Sequence, residues 1–249
     1  MPTWLEAGLW GLLGGGALVL GALIAWSLRV PQAVIASVMA FGSGVLISAV
    51  AFDLMAEAAR TGGLVATACG FLAGAAVYLA ANLLLARRGA RHRKRSGDQQ
   101  PSEDEQSGSG AAIAIGALLD GVPESVVLGL GLLGGGSVSL SVLAAVFISN
   151  VPEGLSSAAG MKRNGRSARY VFGVWTGIAL ASAVAALLGY VLLGGAPPQV
   201  EAVITAIAAG AILTMIADTM IPEAFENTHA WTGLITTVGF LTAFAISLA

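Results

Sequence analysis

Two stretches of the sequence place oxygen-bearing side chains on one helix face within apolar segments. Asp120 and Glu124 are four residues apart, and Ser149 and Glu153 repeat this spacing, with Asn150 beside them. Residues four apart share a face of an α-helix, so each pair would present its oxygens in one direction. A carboxylate inside a membrane helix is costly unless it is neutralised by a proton or a bound cation. We therefore take these five side chains as candidate ligands of a divalent cation, which oxygen donors suit.

A proline lies one residue before each of these glutamates, at Pro123 and Pro152. Proline in a helix interior lacks an N–H donor and clashes with the carbonyl four residues earlier, which kinks the helix. Carbonyl groups near Leu119 and Ile148 would then leave the helical hydrogen-bond pattern. We expect two kinked neighbouring helices that bring oxygen ligands together at mid-membrane. The alternative is a pair of kinks with hydrogen-bonded acids and no metal.

Four further acids lie in or at the ends of apolar segments. Asp53 and Glu57 are again four apart, and Asp218 and Glu223 lie near the C-terminus. These four are candidate entrance and exit ligands along a cation pathway. Glu57, Glu223 and Glu226 could instead be solvated helix ends.

The helices that carry these residues must lie in a membrane. Of the 249 residues, 56% are hydrophobic and 10% are charged, whereas soluble domains carry about 25% charged residues. The mean hydropathy is +0.84, so the apolar surface cannot be buried in one soluble core. A single cysteine, Cys69, excludes an intramolecular disulfide and an all-thiolate metal cage. The composition predicts an all-α integral membrane protein.

Hydrophobic stretches separated by charge, glycine and proline predict eight transmembrane helices in a single domain, 1–249. They are Trp4–Leu28, Gln32–Ala59, Gly63–Ala86, Ala111–Leu133, Val138–Met161, Ala168–Leu193, Val200–Ile221 and Trp231–Leu248. The polar segment 87–110 cannot bury apolar area and is predicted to be a flexible linker. It separates helices one to three at 4–86 from helices four and five at 111–161 and helices six to eight at 168–248.

Basic residues are concentrated in two clusters, Arg87–Arg95 and Lys162–Arg169. Basic loops between membrane helices face the cytoplasm, so we assign 87–110 and 162–167 to that side rather than to nucleic-acid binding. With eight helices, the N- and C-termini then lie outside a cell membrane.

Two helices also resemble each other. Gly44–Ala58 (GVLISAVAFDLMAEA) in helix two is similar to Gly210–Ala224 (GAILTMIADTMIPEA) in helix seven. These helices would cross the bilayer in opposite directions, which is the pattern of inverted-repeat transporters.

The two proline-containing stretches resemble the paired metal-binding motifs of the ZIP (zinc- and iron-transporter-like) family. Asp120–Ser125 (DGVPES) is similar to the family's His-Asn-x-Pro-Glu-Gly motif, and Ser149–Gly154 (SNVPEG) is similar to its second motif. The resemblance implies eight helices in a 3+2+3 arrangement and a binuclear metal centre between helices four and five. It also implies movement of zinc, iron or manganese toward the cytoplasm. By analogy, helices one, four, five and six would move against the rest in an alternating-access cycle.

The resemblance also gives roles to single residues. Glu124 and Glu153 match the family's bridging carboxylates, and Asp120 stands where the family has histidine. Asn150 matches a second-site ligand, with Ser149 as its weaker neighbour.

Two departures from the family pattern affect this site. Gly121 stands at the family's asparagine ligand and has no side chain to ligate. Leu180 is the best alignment to a helix-six glutamate that several members carry. The second metal site is therefore predicted to be degraded. The remaining oxygen ligands, with no histidine, should favour Mn²⁺, Fe²⁺ or another cation over Zn²⁺.

The sequence thus predicts a divalent-metal transporter, with Zn, Fe or Mn as its substrate and no enzymatic activity. Two alternatives stay open: a protein of the same fold that moves another solute or protons, and an intramembrane enzyme. The enzyme is disfavoured because no histidine-rich zinc site, serine–histidine pair or cysteine nucleophile lies at membrane depth. Glycine-rich faces are compatible with a homodimer in the lipid bilayer.

Overall fold

The computed structural model describes residues 1–90 and 109–248. These residues form helices joined by short turns and contain no strand. The α-helices are α1 Thr3–Ser27, α2 Gln32–Ala49, α3 Ala56–Leu85, α4 Ser109–Leu130, α5 Leu140–Arg163, α6 Ala168–Leu193, α7 Pro198–Met215, α8 Ile221–Thr228 and α9 Thr232–Ser247. The prediction of an all-α membrane protein is therefore confirmed.

Within the described residues, six helical stretches are long and apolar enough to cross a membrane. They are Thr3–Ser27, Gln32–Arg88, Ala111–Leu130, Leu140–Arg163, Ala168–Leu193 and Pro198–Ser247. Two of them are 57 and 50 residues long, whereas one crossing needs about 20 residues. Each long stretch contains a backbone break, at Gly63 (φ 76°, ψ 166°) in the first and at His229 (φ 45°, ψ −122°) in the second. Glycine adopts such a positive φ without steric cost, which explains its presence at the first break.

Several helices run further than the sequence predicts. The predicted helix seven ended at Ile221, but the chain stays helical through α8 to Thr228. Helix three is prolonged by the π-helical segment Ala86–Ala90. Residues 91–108 of the predicted linker lie outside the described residues, so its flexibility stays a prediction.

The helices pack in two groups. α1 packs against α5 and α6, and α4 packs against α6, while α3 packs mainly against α7 and α2 against α9. We call α1, α4, α5 and α6 the first helix group, and α2, α3, α7, α8 and α9 the second. Contacts of α2 with α5 and of α4 with α7 join the two groups.

The two segments that resemble each other in sequence also share their local backbone and packing. A π-helical segment covers Val50–Met55 in one and Ile216–Met220 in the other, at matching positions. Gly44 lies against the backbone of α9, and its counterpart Gly210 lies against the backbone of α3. A Cβ atom at either glycine would overlap a carbonyl oxygen, so only glycine permits this close approach.

Two buried apolar clusters surround these contacts. The first includes Val127 and Leu128 of α4 and Val142 to Val146 of α5. The second includes Ile113 and Ala117 of α4, together with residues near the end of α5 such as Leu155 and Met161. Both helices therefore pass from one cluster to the other, and the acidic motifs lie in the stretches between.

Candidate metal centre

α4 holds Asp120 and Glu124 in the protein interior. Each residue is 1% exposed. Along α4, both lie between the residues that belong to the second apolar cluster, Ile113 and Ala117, and those that belong to the first, Val127 and Leu128. The helix continues through Pro123, so the four-residue spacing keeps both side chains on one face, as the sequence predicted. Burial of both carboxyl groups fits the prediction that they do chemistry rather than face solvent.

Asp120 has a partner that the sequence reasoning missed. The hydroxyl of Tyr78, a buried residue of α3, donates a hydrogen bond of 2.5 Å to Asp120 Oδ1. The two residues are 42 positions apart, and no spacing rule connects them. The only signal in the sequence was a tyrosine within an apolar helix, where its hydroxyl needs a polar partner.

α5 buries the second set of candidate ligands. Ser149, Asn150 and Glu153 are all at most 3% exposed. Ser149 Oγ donates to the carbonyl of Val146 at 3.0 Å, and Asn150 Nδ2 donates to the carbonyl of Gly14 in α1 at 3.0 Å. An amide that donates through its nitrogen keeps its oxygen for a cation, so Asn150 retains a possible ligand atom.

The two helices that carry these residues contact each other only slightly, since α4 packs on α6 and α5 packs on α1 and α2. Among residues 1–90 and 109–248, no three His, Cys, Asp or Glu side chains lie close enough together to hold a metal ion. The structure thus brings Asp120 and Glu124 together on one helix, and Asn150 and Glu153 on another. Their assembly into one centre stays a prediction. The donors are all oxygen atoms, which fits a hard divalent cation as the substrate.

At one end of the helix bundle, a cavity of about 450 Å³ contains Asp53. The carboxylate accepts hydrogen bonds from Ser141 (2.8 Å) and Ser139 (3.4 Å) at the start of α5. Val127 and Leu128, one turn along α4 from Glu124, also line this cavity. Asp53 therefore shares a cavity with the turn of α4 that follows Glu124, and its role as an entrance ligand stays a prediction.

Glu57 also lines the cavity, but its side chain is 56% exposed and forms an ion pair with Arg60. The solvated alternative therefore describes Glu57 better than a ligand role. Glu201, at the start of α7, adds a third acid to the cavity wall.

The two acids at the other predicted end of the pathway differ in exposure. Glu223 is buried, and Ser156 Oγ of α5 donates to its Oε1 at 3.3 Å. Its burial follows from the extension of the helix to Thr228 and is at odds with a solvated helix end. Asp218, in the π-helical segment, is exposed.

The two family positions that depart from the motif also have defined surroundings. Among the residues that the structure describes, a Cβ atom at Gly121 would meet only Ser182 Oγ, at 3.6 Å, which is an ordinary contact. Ser182 of α6 is buried, whereas Leu180, the predicted counterpart of the family glutamate, is 57% exposed. The polar residue of α6 that faces the α4 motif is therefore Ser182, which the sequence alignment missed.

Comparison with known proteins agrees with this architecture. No curated protein matches the chain. A family model described as "ZIP Zinc transporter" matches residues 83–249, about two thirds of the chain, and this range includes both motifs. With two buried acidic motifs in membrane-spanning helices and this match, the chain belongs to the ZIP zinc transporter family.

Proposed function

We propose that this protein carries a divalent cation across a cell membrane toward the cytoplasm, through a site formed by Asp120, Glu124, Asn150 and Glu153, with Ser149 as a weaker ligand. The observation that carries the proposal is the burial of three carboxyl groups at the centre of two apolar helices. A cation that binds there replaces its water shell with carboxylate oxygens and cancels charge that is costly in a low-dielectric interior. Because no sulfur or imidazole donor belongs to this set, Mn²⁺ or Fe²⁺ should be preferred over Zn²⁺.

The family's eight-helix, 3+2+3 arrangement is part of this proposal. It requires Gln32–Arg88 and Pro198–Ser247 each to cross the membrane twice, turning near Gly63 and His229. Contacts at the bundle ends support it. The turn at Arg29 lines one cavity together with Lys162 and Arg163, and Lys162 Nζ donates to the carbonyl of Trp26 at 2.6 Å. The other cavity brings the segment Val50–Met55 and the start of α3 together with the α4–α5 turn and the start of α7.

The proposed pathway follows α5. Ser141 contacts Asp53 near one end of this helix, Glu153 lies in the middle, and Ser156 contacts Glu223 further along. From Ser141 to Ser156 the helix rises about 22 Å at 1.5 Å per residue, which is most of a hydrocarbon core of about 30 Å. We place the entrance at Asp53 and the exit at Glu223. Asp218 and Glu57, both exposed, are at most peripheral to this route.

The two helix groups support an alternating-access cycle. The most extensive packing lies within each group, whereas Tyr78–Asp120, Asp53–Ser141 and Glu223–Ser156 are hydrogen bonds between the groups. Relative movement of the groups would exchange these polar contacts and leave most apolar packing intact.

The test is uptake of Mn²⁺ by proteoliposomes that contain a metal-sensing dye, with Zn²⁺ as competitor. Glu124→Gln and Glu153→Gln should each lose at least about tenfold in uptake, because even the hydrogen-bond partners of metal ligands are typically worth 10- to 100-fold. Glu6→Gln, in the first turn of α1, is the matched control and should keep its activity.

Two outcomes would change the proposal. Unchanged uptake in both glutamine variants would remove the proposed site, and competition in which Zn²⁺ wins by a wide margin would contradict the ion preference. A second candidate, proton or other solute movement by the same fold, is favoured by the missing side chain at Gly121 and the absence of a three-acid cluster in the described residues. It predicts internal acidification without Mn²⁺ entering.

A further inference from the structure

We propose that Tyr78 is a positioning residue for Asp120, so that helix α3 takes part in the cation site. This inference rests on the proposed function, because it gives Tyr78 a role only if Asp120 binds the transported ion. Neither motif indicates a role for α3, and the inference about Tyr78 is based on its hydrogen bond to Asp120.

Tyr78 and Asp120 form a hydrogen bond in the protein interior. Tyr78 is 1% exposed, Asp120 is equally buried, and the hydroxyl donates to one carboxylate oxygen, Oδ1. A carboxylate has several lone-pair positions, so a hydrogen bond at Oδ1 is compatible with cation binding by the same carboxylate. The hydrogen bond also restricts rotation of the short Asp120 side chain, which favours one direction for the second oxygen.

This arrangement has a general counterpart in metal sites. A residue that binds a metal usually also makes a hydrogen bond to a neighbouring group, which fixes its orientation. Loss of that hydrogen bond lowers the affinity for the metal. Here the motif carries aspartate where the ZIP family has histidine, and a phenol hydroxyl supplies the orienting contact. Tyr78 would therefore act on cation affinity through Asp120 without touching the ion.

The same bond crosses between the two helix groups. α3 packs mainly on α7, and α4 packs mainly on α6, so Tyr78 attaches a ligand of the first group to a helix of the second. The orientation of Asp120 then depends on how the groups are arranged, and the site would be complete only when Tyr78 is within reach.

The experiment measures the dissociation constant of Mn²⁺ for the purified full-length protein in detergent, for Tyr78→Phe, Asp120→Ala and the double variant. Phenylalanine keeps the ring and its packing and removes only the hydroxyl. We expect Tyr78→Phe to raise the dissociation constant of Mn²⁺ about 10- to 100-fold. The melting temperature of the metal-free protein should be unchanged. Tyr190→Phe in α6 is the matched control and should bind normally.

The double variant separates a positioning role from a structural one. If Tyr78 acts through Asp120, adding Tyr78→Phe to Asp120→Ala should cause no further loss of affinity. Normal binding by Tyr78→Phe, or losses that multiply in the double variant, would overturn the role of Tyr78 while leaving the proposed site intact. Normal binding by Asp120→Ala would instead remove Asp120 from the site and overturn this inference together with that part of the proposed function.

Discussion

Each motif carboxyl group lies in an apolar stretch of helix and is at most 3% exposed. Hydroxyl contacts accompany several acids of this protein, with Tyr78 at Asp120, Ser141 at Asp53 and Ser156 at Glu223. A hydroxyl stabilises a carboxylate without supplying a positive charge. In general, a hydroxyl partner leaves more of a carboxylate's negative charge available to a cation than an arginine or lysine partner does.

Gly121 offers a gain-of-function test at the residue scale. Within the described part of the chain, a Cβ atom there would make one ordinary contact, with Ser182 Oγ. Gly121→Asn should therefore be tolerated and would add the amide oxygen that the family motif contains. We expect Mn²⁺ to bind about tenfold more tightly, which corresponds to about 1.4 kcal/mol. Isothermal titration of the purified protein checks this.

Gly121→Ala is the control for this prediction, since it adds the Cβ atom without a ligand. It should leave affinity unchanged and could stabilise the helix by up to about 1 kcal/mol. Asparagine that binds no better than alanine would mean that position 121 does not face the cation.

At this scale the sequence was sufficient for residues whose neighbours lie on the same helix. The burial of Asp120, Glu124 and Glu153 followed from their apolar surroundings and four-residue spacing. Tyr78 and Ser182 were missed because their contacts join separate helices, and no local pattern records which face of α3 or α6 meets α4.

Helix pairs of this fold approach each other through glycine. Gly44 lies against the backbone of α9 and Gly210 against that of α3. In lipid, helices associate through such close packing because the hydrophobic effect between them is weak. These contacts join helices inside the second group.

Alanine at these two glycines should therefore destabilise the protein. The added methyl group of Gly44→Ala would overlap the carbonyl of Thr236, and that of Gly210→Ala would overlap the carbonyl of Phe71. Overpacking of this kind costs about 1–3 kcal/mol, so each variant should have a melting temperature several degrees lower in detergent.

The matched control is Gly173→Ala in α6, where a Cβ atom would meet no atom of residues 1–90 or 109–248 within 4 Å. That variant should be neutral or slightly more stable, because alanine favours a helix over glycine. Equal melting temperatures for all three variants would contradict the close approach.

Helix bounds were predicted best where the amino-acid composition alone determines them. α6 has the predicted bounds, Ala168–Leu193, because polar residues and glycines flank an uninterrupted apolar run. The π-helical segments Val50–Met55 and Ile216–Met220 were not predicted, since their residues suit an ordinary helix equally well. The continuation to Thr228 was not predicted; Pro222 lies in the first turn of α8, where proline is tolerated.

For the whole molecule, the number of membrane crossings determines which turns share a side. With eight crossings, the turn after α1 and the turn after α5 face the same side. If Gln32–Arg88 and Pro198–Ser247 each crossed once, these two turns would face opposite sides. The contact of Lys162 with Trp26 favours the first arrangement, and the basic residues near both turns favour the cytoplasm.

Cysteine labelling tests this directly, because Cys69 is the single native cysteine. In a Cys69→Ser background, we would introduce Leu28→Cys, Ser167→Cys and Gln199→Cys, all at exposed positions. A membrane-impermeant maleimide added to intact cells should label only Gln199→Cys, beyond the α6–α7 turn. Leu28→Cys and Ser167→Cys should react only after permeabilisation, because both would lie at the cytoplasmic face.

Labelling of Leu28→Cys and Ser167→Cys from opposite sides would instead mean six crossings, and the entrance and exit assigned to Asp53 and Glu223 could not both stand. Labelling of both from outside would reverse the orientation and with it the proposed direction of transport.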